Sequence, residues 1–115
     1  MIIRNEAMPT EIRSNMRGGN GAAEIKTLLA EEHMNGKGRM FSRVTLPPGT
    51  SIGQHPHVGD SETFYVVSGE VEYFDNGETV TLRAGDLAHV PEGQRHGVCN
   101  KGTEPAVMVA LILYA

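Results

Sequence analysis

Three histidines and one glutamate in this 115-residue chain have the residue types and the spacing of a metal site. His55 and His57 are two residues apart, so in an extended strand both side chains would lie on one face, about 6.6 Å apart. Glu62 follows His57 after a break at Val58–Ser61, which allows it to begin a new strand facing the same way. His96 is remote in sequence and can reach the same ion only if the chain closes on itself.

The donor set predicts which metals this site would hold. Three imidazoles and one carboxylate suit Mn, Fe, Co, Ni, Cu or Zn, and not Ca or Mg. In an octahedral site four protein ligands leave two positions open for water, dioxygen or a bidentate substrate. We therefore expect one divalent transition metal per chain, with Mn or Fe favoured, bound by His55, His57, Glu62 and His96.

Turn residues divide the chain into short segments of strand-forming residues. Fourteen glycines and six prolines recur at intervals of roughly eight to twelve residues, which is typical of an all-β sandwich or barrel. Asn76-Gly77 is the clearest two-residue hairpin turn, because both residues tolerate positive φ. The predicted strands are Arg39–Leu46, Ser51–His55, Glu62–Ser68, Glu70–Asp75, Glu78–Arg83, Leu87–Val90, Gln94–Asn100 and Ala106–Tyr114.

The N-terminal third of the chain has weaker signals. Intrinsic propensity favours a helix over Ala22–Met34, yet Glu24–Leu28 alternates like a strand. We predict a strand to about Leu29. The first twenty residues contain a proline and two adjacent glycines, and they predict an irregular N-terminal arm (1–20) leading into a single barrel domain (21–115).

Charge and hydrophobicity exclude several classes of partner. The net charge is −4 and no basic run exists, so nucleic acid is not an expected partner. The start of the chain lacks the apolar core of a signal peptide. The longest apolar run, Ala106–Ala115, is too short to span a bilayer. A single cysteine, Cys99, cannot form an internal disulfide and fits a reducing compartment. We therefore expect a cytoplasmic protein with no membrane partner.

Two stretches resemble the signature motifs of the cupin superfamily. Gly49–Gly69 matches G-x5-H-x-H-x4-E-x6-G, and Gly85–Asn100 matches G-x5-P-x-G-x2-H-x3-N, with no departure at any specified position. The resemblance implies a double-stranded β-helix, or jelly-roll barrel, with the metal inside, and it implies that homodimers are common. The chain looks like the small single-domain bacterial and archaeal members described as oxalate-decarboxylase-like or mannose-6-phosphate-isomerase-like.

The resemblance also implies a range of functions. It favours a metal-dependent enzyme, dioxygenase-like or decarboxylase-like, that acts on a small oxygen-rich molecule. No catalytic acid or base can be assigned, and no insertion is long enough for a distinctive lid, which weakens the decarboxylase interpretation. The alternatives are an isomerase-like enzyme and a non-catalytic module that binds or senses a small molecule.

Strand parity predicts the remaining pocket. Ser42, Phe64, Val66 and Val98 are expected to line it beside the metal ligands. On the strand that contains Ser42, parity favours Met40 and Val44 as inward residues and places Arg39 and Arg43 outside. With the parity reversed, an arginine would instead clamp a carboxylate substrate bidentately.

Several further side chains have a structural interpretation. We expect His89 to point outward and Cys99 to be a small apolar filler that faces away from the metal. Asn100 should tie down nearby backbone groups through its amide. Tyr65 and Tyr73 should pack between the sheets or at an interface.

Overall fold

The computed structural model describes residues 1–115 as ten strands in two antiparallel sheets, with three short 3-10 turns. The strands are β1 (Thr10–Ser14), β2 (Ala22–Leu29), β3 (Gly38–Leu46), β4 (Ser51–Pro56), β5 (Asp60–Ser68), β6 (Glu70–Asp75), β7 (Glu78–Arg83), β8 (Leu87–Val90), β9 (Arg95–Cys99) and β10 (Ala106–Tyr114). The 3-10 turns are Asn5–Ala7, Met16–Gly18 and Glu31–His33. One sheet has the order β1-β2-β3-β10-β5-β8 and the other β4-β9-β6-β7.

This architecture is a double-stranded β-helix, so the predicted fold class is confirmed. All eight predicted strands form, with ends that differ by no more than two residues. The Asn76-Gly77 hairpin joins β6 to β7 with φ of 47° and 101°, and Asp75 pairs with Glu78 across it. None of the helical turns has the length or the apolar character to cross a membrane.

The segment with helical propensity is a strand, as predicted, over Ala22–Leu29. β2 pairs with β1 on one side and with β3 on the other. Its inward residues Ala23 and Ile25 belong to the core. Pairing on both edges outweighs the propensity of Ala, Glu and Leu for helix, since tertiary context overrides a preference of a few tenths of a kcal/mol per residue.

The N-terminal residues are more regular than the sequence predicts. Thr10–Ser14 forms β1, an edge strand against β2, where we expected irregular backbone. The turn Met16–Gly18 then lies against β4. A Cβ atom on Gly53 of β4 would lie 2.0 Å from the carbonyl oxygen of Arg17, and one on Gly19 would lie 2.2 Å from that of Ser51. Glycine at both positions is therefore what allows this turn to touch β4.

The hydrophobic core lies between the two sheets and extends to the buried histidines and glutamate of the candidate metal site. Burying each large apolar side chain stabilises the fold by about 1.5–3 kcal/mol. The core residues are Ala23, Ile25, Val44, Leu46, Ile52, Phe64, Val66, Val71, Tyr73, Ala88, Val98, Ala106, Met108 and Ala110.

Asn100 has the structural role that the sequence predicts. Its buried amide nitrogen donates hydrogen bonds to the carbonyl oxygens of Leu46 and Glu104, both at 2.8 Å. Its amide oxygen accepts a bond from the backbone N–H of Gly102 at 2.9 Å. One side chain thus joins the end of β3 to the loop between β9 and β10.

Candidate metal centre

Four side chains from distant parts of the chain converge inside the barrel. His55, His57, Glu62 and His96 are all buried, and one donor atom from each lies within 4.8 Å of all the others. The structure therefore brings together the whole predicted ligand set.

A bulge in β4 places His55 opposite His96. Ile52 pairs with Val98 and His55 with His96, so β4 has one more residue than β9 between these two pairs. The extra residue resets the alternation, and both Ile52 and His55 face inward. β-Bulges commonly re-aim a side chain beside a functional site in this way. Gln54, between Ile52 and His55, is exposed.

The turn between β4 and β5 brings in the other two side chains. Gly59 adopts φ of 79° in this turn. The backbone of His57 is bonded to the turn before β9, donating to the carbonyl of Gln94 and accepting from the N–H of Gly93. Glu62 lies on β5 with Phe64 and Val66 on the same inward face, as predicted.

Each histidine has a fixed partner on its outer ring nitrogen. Nδ1 of His55 donates to the carbonyl of Gly53 at 2.8 Å. Nδ1 of His57 lies 2.6 Å from Oδ1 of Asp60, and Nδ1 of His96 lies 2.8 Å from the hydroxyl of Tyr73. Such contacts set the tautomer and the orientation of a metal-binding ring. When each neutral ring carries its proton on Nδ1 and donates it to this partner, Nε2 keeps its lone pair, and the three Nε2 atoms face one another.

The spacing of the inner donor atoms fits a transition metal. Nε2 of His96 lies 3.0 Å from Nε2 of His57 and 3.2 Å from that of His55. Oε1 of Glu62 lies 3.2 Å from Nε2 of His57 and 3.0 Å from that of His96. Two donors about 2.1 Å from one ion, at right angles, are about 3.0 Å apart. Converging lone pairs and a carboxylate repel one another unless a cation lies between them, so the residues fit a divalent metal.

The titrating groups are arranged so that a cation is favourable here. Burial alone would raise the pKa of Glu62, but hydrogen bonds and charge from His57 and His96 lower it to about 2. The bond to Glu62 raises the pKa of His57 against the opposing effect of burial, and Asp60 raises it further. Burial lowers the pKa of His55, and nearby positive charge, including that of Arg17, adds to this. A protonated His57 would therefore donate from Nδ1 to Asp60 and from Nε2 to Glu62, and a metal would take the place of the Nε2 proton.

Asp60 links the metal centre to an arginine. Its Oδ2 accepts a hydrogen bond from Nε of Arg39 at 3.0 Å and lies 3.0 Å from Nη2 of the same guanidinium, while its Oδ1 contacts His57. Burial alone would raise the pKa of Asp60, but the hydrogen bonds from His57 and Arg39 lower it. His57 is thus held by an ionised carboxylate that is itself held by a guanidinium.

The position of Arg39 corrects the parity prediction. β3 has one extra residue between Gly38 and Met40, opposite Leu113 and Ile112 of β10. This irregularity turns Arg39 to the rim of the cavity together with Met40, whereas regular alternation predicts it outside. Arg43, beyond the irregularity, is exposed on the outer face as predicted.

A cavity of about 100 Å³ lies beside the four ligands. Three arginines line it, and Glu62 is its only acidic residue. The lining residues are Arg13, Met16, Arg17, Ile25, Arg39, Met40, Val44, Ile52, His55, His57, Glu62, Phe64 and Ile112.

The cavity contains only one of the four predicted pocket residues. Phe64 lines it and stacks on His96, with ring centroids 5.3 Å apart. Val66 and Val98 face inward but lie deeper, in the core below the ligands. Ser42 is buried on β3 and lines a neighbouring depression that shares Arg13 and Arg39 with the cavity.

Sequence reasoning missed Arg13, Arg17 and Asp60. The two arginines belong to the N-terminal segment, and no local pattern relates them to the histidine motif. Asp60 had a usable signal, because it lies three residues after His57 and carboxylate partners of metal-bound histidines are common. The hydroxyl of Tyr73 on His96 was also missed, although its packing between the sheets was predicted.

The remaining candidates lie away from the cluster. His89 is exposed and contacts the hydroxyl of Thr63 at 2.9 Å, so the outward prediction is confirmed. Cys99 is half-buried and does not belong to the group of potential ligands. Tyr65 is exposed on the outer face of β5 and does not pack between the sheets.

Comparison with known proteins agrees with this geometry. The family model described as the cupin domain matches residues 42–112, which include all four candidate ligands. The chain is a cupin. The family assignment agrees with the observed barrel, because the matched region contains the strands that carry the three histidines and the glutamate.

A protein and a crystal structure from Thermotoga maritima, and a protein from Streptomyces glaucescens, illustrate what this cupin is similar to. A protein named oxalate-binding protein is 40% identical over 98% of this chain and 93% of its own length. A crystal structure described as a predicted oxalate decarboxylase is 39% identical, covers all of both chains and has a TM-score of 0.95. The tetracenomycin polyketide synthase protein TcmJ is 30% identical over 90% of this cupin and 66% of its own length.

Proposed function

We propose that this cupin binds a divalent transition metal through His55, His57, Glu62 and His96 and uses it to hold a small dicarboxylate of the oxalate type. The observation that carries the proposal is the cavity itself. Three arginines line it, directly beside inward-facing imidazole nitrogens, and Glu62 is the only acidic lining residue. Two of these arginines pair with acids outside the lining, Arg13 with Glu11 and Arg39 with Asp60. A divalent ion together with the unpaired guanidinium of Arg17 outweighs the charge of Glu62 and favours an anionic ligand.

The size of the cavity narrows the ligand class. A cavity of about 150 Å³ holds benzene, which has six non-hydrogen atoms. The volume of about 100 Å³ here suits a molecule no larger than that. Oxalate has six non-hydrogen atoms and can present two oxygens to one metal. The name of the relative that is 40% identical, oxalate-binding protein, supports the same class.

The chain's own residues have distinct parts in this function. When bound, the metal supplies Lewis acidity and a strong positive charge for ligand oxygens. Gly53, Asp60 and Tyr73 keep the imidazole rings in place. Met40 and Phe64 cover one side of the cavity with apolar surface, which strengthens electrostatic contacts by excluding water.

The test combines metal analysis with calorimetric titration. Freshly purified protein should contain about one Mn, Fe or related ion per chain, and the loaded protein should bind oxalate more tightly than acetate. The metal-free protein should bind oxalate much more weakly. Absence of transition metal, or equal affinity for oxalate and acetate, would contradict the proposal.

A metal-dependent enzyme is the second candidate. It is supported by the similarity to a structure described as a predicted oxalate decarboxylase, and by a donor set that leaves two positions open in an octahedral site. Decarboxylation of hydrogen oxalate to formate and carbon dioxide moves a proton to carbon. The cavity has no carboxyl or imidazole group besides the four ligands to supply it.

Product and gas analysis separates the candidates. Formate release under anaerobic conditions would support a decarboxylase, and oxygen uptake would support a dioxygenase-like activity. Neither is expected if the protein only binds its ligand. An isomerase acting on a sugar phosphate is disfavoured because such a substrate is much larger than the cavity.

A further inference from the structure

Arg17 is the only cavity arginine that has no side-chain partner. Arg13 donates to both carboxylate oxygens of Glu11, at 2.8 and 3.2 Å, and Arg39 is bonded to Asp60 at 3.0 Å. The guanidinium of Arg17 has neither a hydrogen bond nor an ion pair within the chain, although this group carries five N–H donors. It is therefore the arginine free to bond a ligand.

Arg17 lies at the mouth of the metal cavity. It lines the cavity and also the adjoining depression formed by Arg39, His57 and Asp60. Arg39 and His57 also line both the cavity and the adjoining depression.

The backbone under Arg17 is held in place although its side chain is free. Arg17 adopts a left-handed conformation with φ of 53° and ψ of 34°, which is unfavourable for a residue other than glycine. Such conformations persist where the surroundings impose them, and they concentrate at ligand sites. Here the carbonyl of Arg17 lies where a Cβ atom of Gly53 would be, and Met16 packs against the core.

Gly53 connects this contact to the metal centre. Its own carbonyl accepts the bond from Nδ1 of His55, and its missing side chain makes room for the turn that bears Arg17. The position of the arginine and the orientation of a candidate metal ligand thus depend on one residue of the β4 bulge. Because the backbone of Arg17 is already held in place, little backbone conformational entropy is lost when its side chain binds a ligand.

We propose that Arg17 determines ligand specificity by donating hydrogen bonds to carboxylate oxygens of a dicarboxylate held at the metal centre. The inference rests on the proposed function and adds to it the residue that selects a second carboxylate group. Arg39 already pairs its Nε and Nη2 side with Asp60, and Arg13 pairs the same side with Glu11, so the charge of each is balanced within the chain. Arg17 alone keeps its whole charge and all five N–H donors for a ligand. The bidentate fork of an arginine matches a carboxylate, which an amide in the same place does not reproduce.

The experiment compares oxalate with oxamate, in which an amide replaces one carboxylate. Both offer two oxygens to a metal, but oxamate has one negative charge fewer. Calorimetry on Mn²⁺-loaded wild type, Arg17→Gln and Arg17→Lys gives the affinities. Arg43→Gln is the matched control, because it removes the same charge from the exposed outer face of β3.

Arg17→Gln should bind oxalate about tenfold to a hundredfold more weakly, the range expected for charge-assisted hydrogen bonds. Its preference for oxalate over oxamate should fall by about the same factor, and Arg17→Lys should be intermediate. Arg43→Gln should remain within about twofold of wild type. A purely structural role for Arg17 would weaken both ligands equally and leave the ratio unchanged.

The outcomes separate the two proposals. An Arg17→Gln protein with the wild-type affinity, or with the wild-type oxalate-to-oxamate ratio, would overturn the role of Arg17 and leave the proposed function intact. A metal-loaded wild type that binds no oxalate would overturn the proposed function and this inference with it.

Discussion

At the scale of single residues, the three histidines differ in what holds them from outside. His55 relies on a backbone carbonyl, His96 on the hydroxyl of Tyr73, and His57 on the ionised carboxylate of Asp60. An anionic partner raises the basicity of a metal-bound imidazole more than a neutral one does. His57 should therefore contribute most to metal affinity.

Replacing His57 by alanine tests this ranking. His57→Ala should lose most of the bound metal and, with it, the stabilisation that a tightly bound ion adds to the folded state. Elemental analysis and calorimetric unfolding measure both effects. His89→Ala is the control, since His89 is exposed and remote from the cluster. A His57→Ala protein with its full metal content would refute the ligand assignment.

The raised pKa of His57 predicts how acid affects metal binding. In the metal-free protein this histidine stays protonated above its ordinary pKa of about 6.5. That proton stabilises the metal-free fold below the unfolded pKa, and this contribution is lost as the pH rises through the folded pKa. A metal must displace the proton, so metal binding weakens as the pH falls through the same range.

The increase in melting temperature on adding Mn²⁺ should therefore be larger at about pH 8 than at about pH 6. Glu62, with a pKa of about 2, is ionised at both values and does not contribute to the difference. Scanning fluorimetry with and without the ion measures the effect, with Mg²⁺ as the control because this donor set does not suit it. A pH-independent increase would contradict the titration of His57.

At the scale of elements, two local irregularities build the site. The bulge in β4 aligns His55 with His96, and the extra residue in β3 turns Arg39 to the cavity. The β4 bulge also contains Gly53, against which the turn Met16–Gly18 packs. One strand segment therefore positions both a candidate ligand and the N-terminal turn.

Gly53→Ala should disturb this junction. The new methyl group would lie 2.0 Å from the carbonyl oxygen of Arg17, so the turn must move. Overpacking of this kind costs about 1–3 kcal/mol of unfolding free energy, and oxalate affinity should fall with the displaced arginine. Denaturant unfolding and calorimetry measure these losses. The exposed neighbour Gln54→Ala should stay within about 0.5 kcal/mol of wild type, and a Gly53→Ala protein that did the same would contradict the close contact.

At the scale of the whole molecule, the outer face of the six-stranded sheet has an exposed apolar patch on β5, β8 and β10. Tyr65 and Leu87 pair directly across β5 and β8, and Val67 and Leu113 are exposed on the same side. Contiguous exposed apolar surface commonly marks an interface. The homodimer that the cupin resemblance implies stays a prediction, and this face is the surface through which we expect it.

Sedimentation velocity tests the assembly. Wild type should sediment as a dimer, and Leu87→Asp should shift it towards monomer by placing a charge in the apolar face. Val80→Asp is the matched control, since Val80 is exposed on β7 of the other sheet. A wild-type monomer at micromolar concentration, or a dimer unaffected by Leu87→Asp, would exclude this interface.

The sequence alone determined every strand except β1, the hairpin at Asn76-Gly77 and the candidate ligand quartet of His55, His57, Glu62 and His96. These features depend on short-range patterns of alternation, turn residues and motif spacing, which are written in consecutive residues. Regular alternation also predicted the inward faces of β5 and β9 well.

Only the tertiary structure decided what surrounds the quartet. Regular parity places Arg39 outside, and no pattern near residue 17 relates it to His55. The position of Arg39 follows from the extra residue in β3, and the position of Arg17 follows from Gly53, which lets the remote turn approach β4. Such features leave no periodic signal, because they arise from contacts between segments far apart in the chain. The candidate metal ligands could therefore be identified from the sequence, whereas the arginines around them are brought there only by contacts between remote segments.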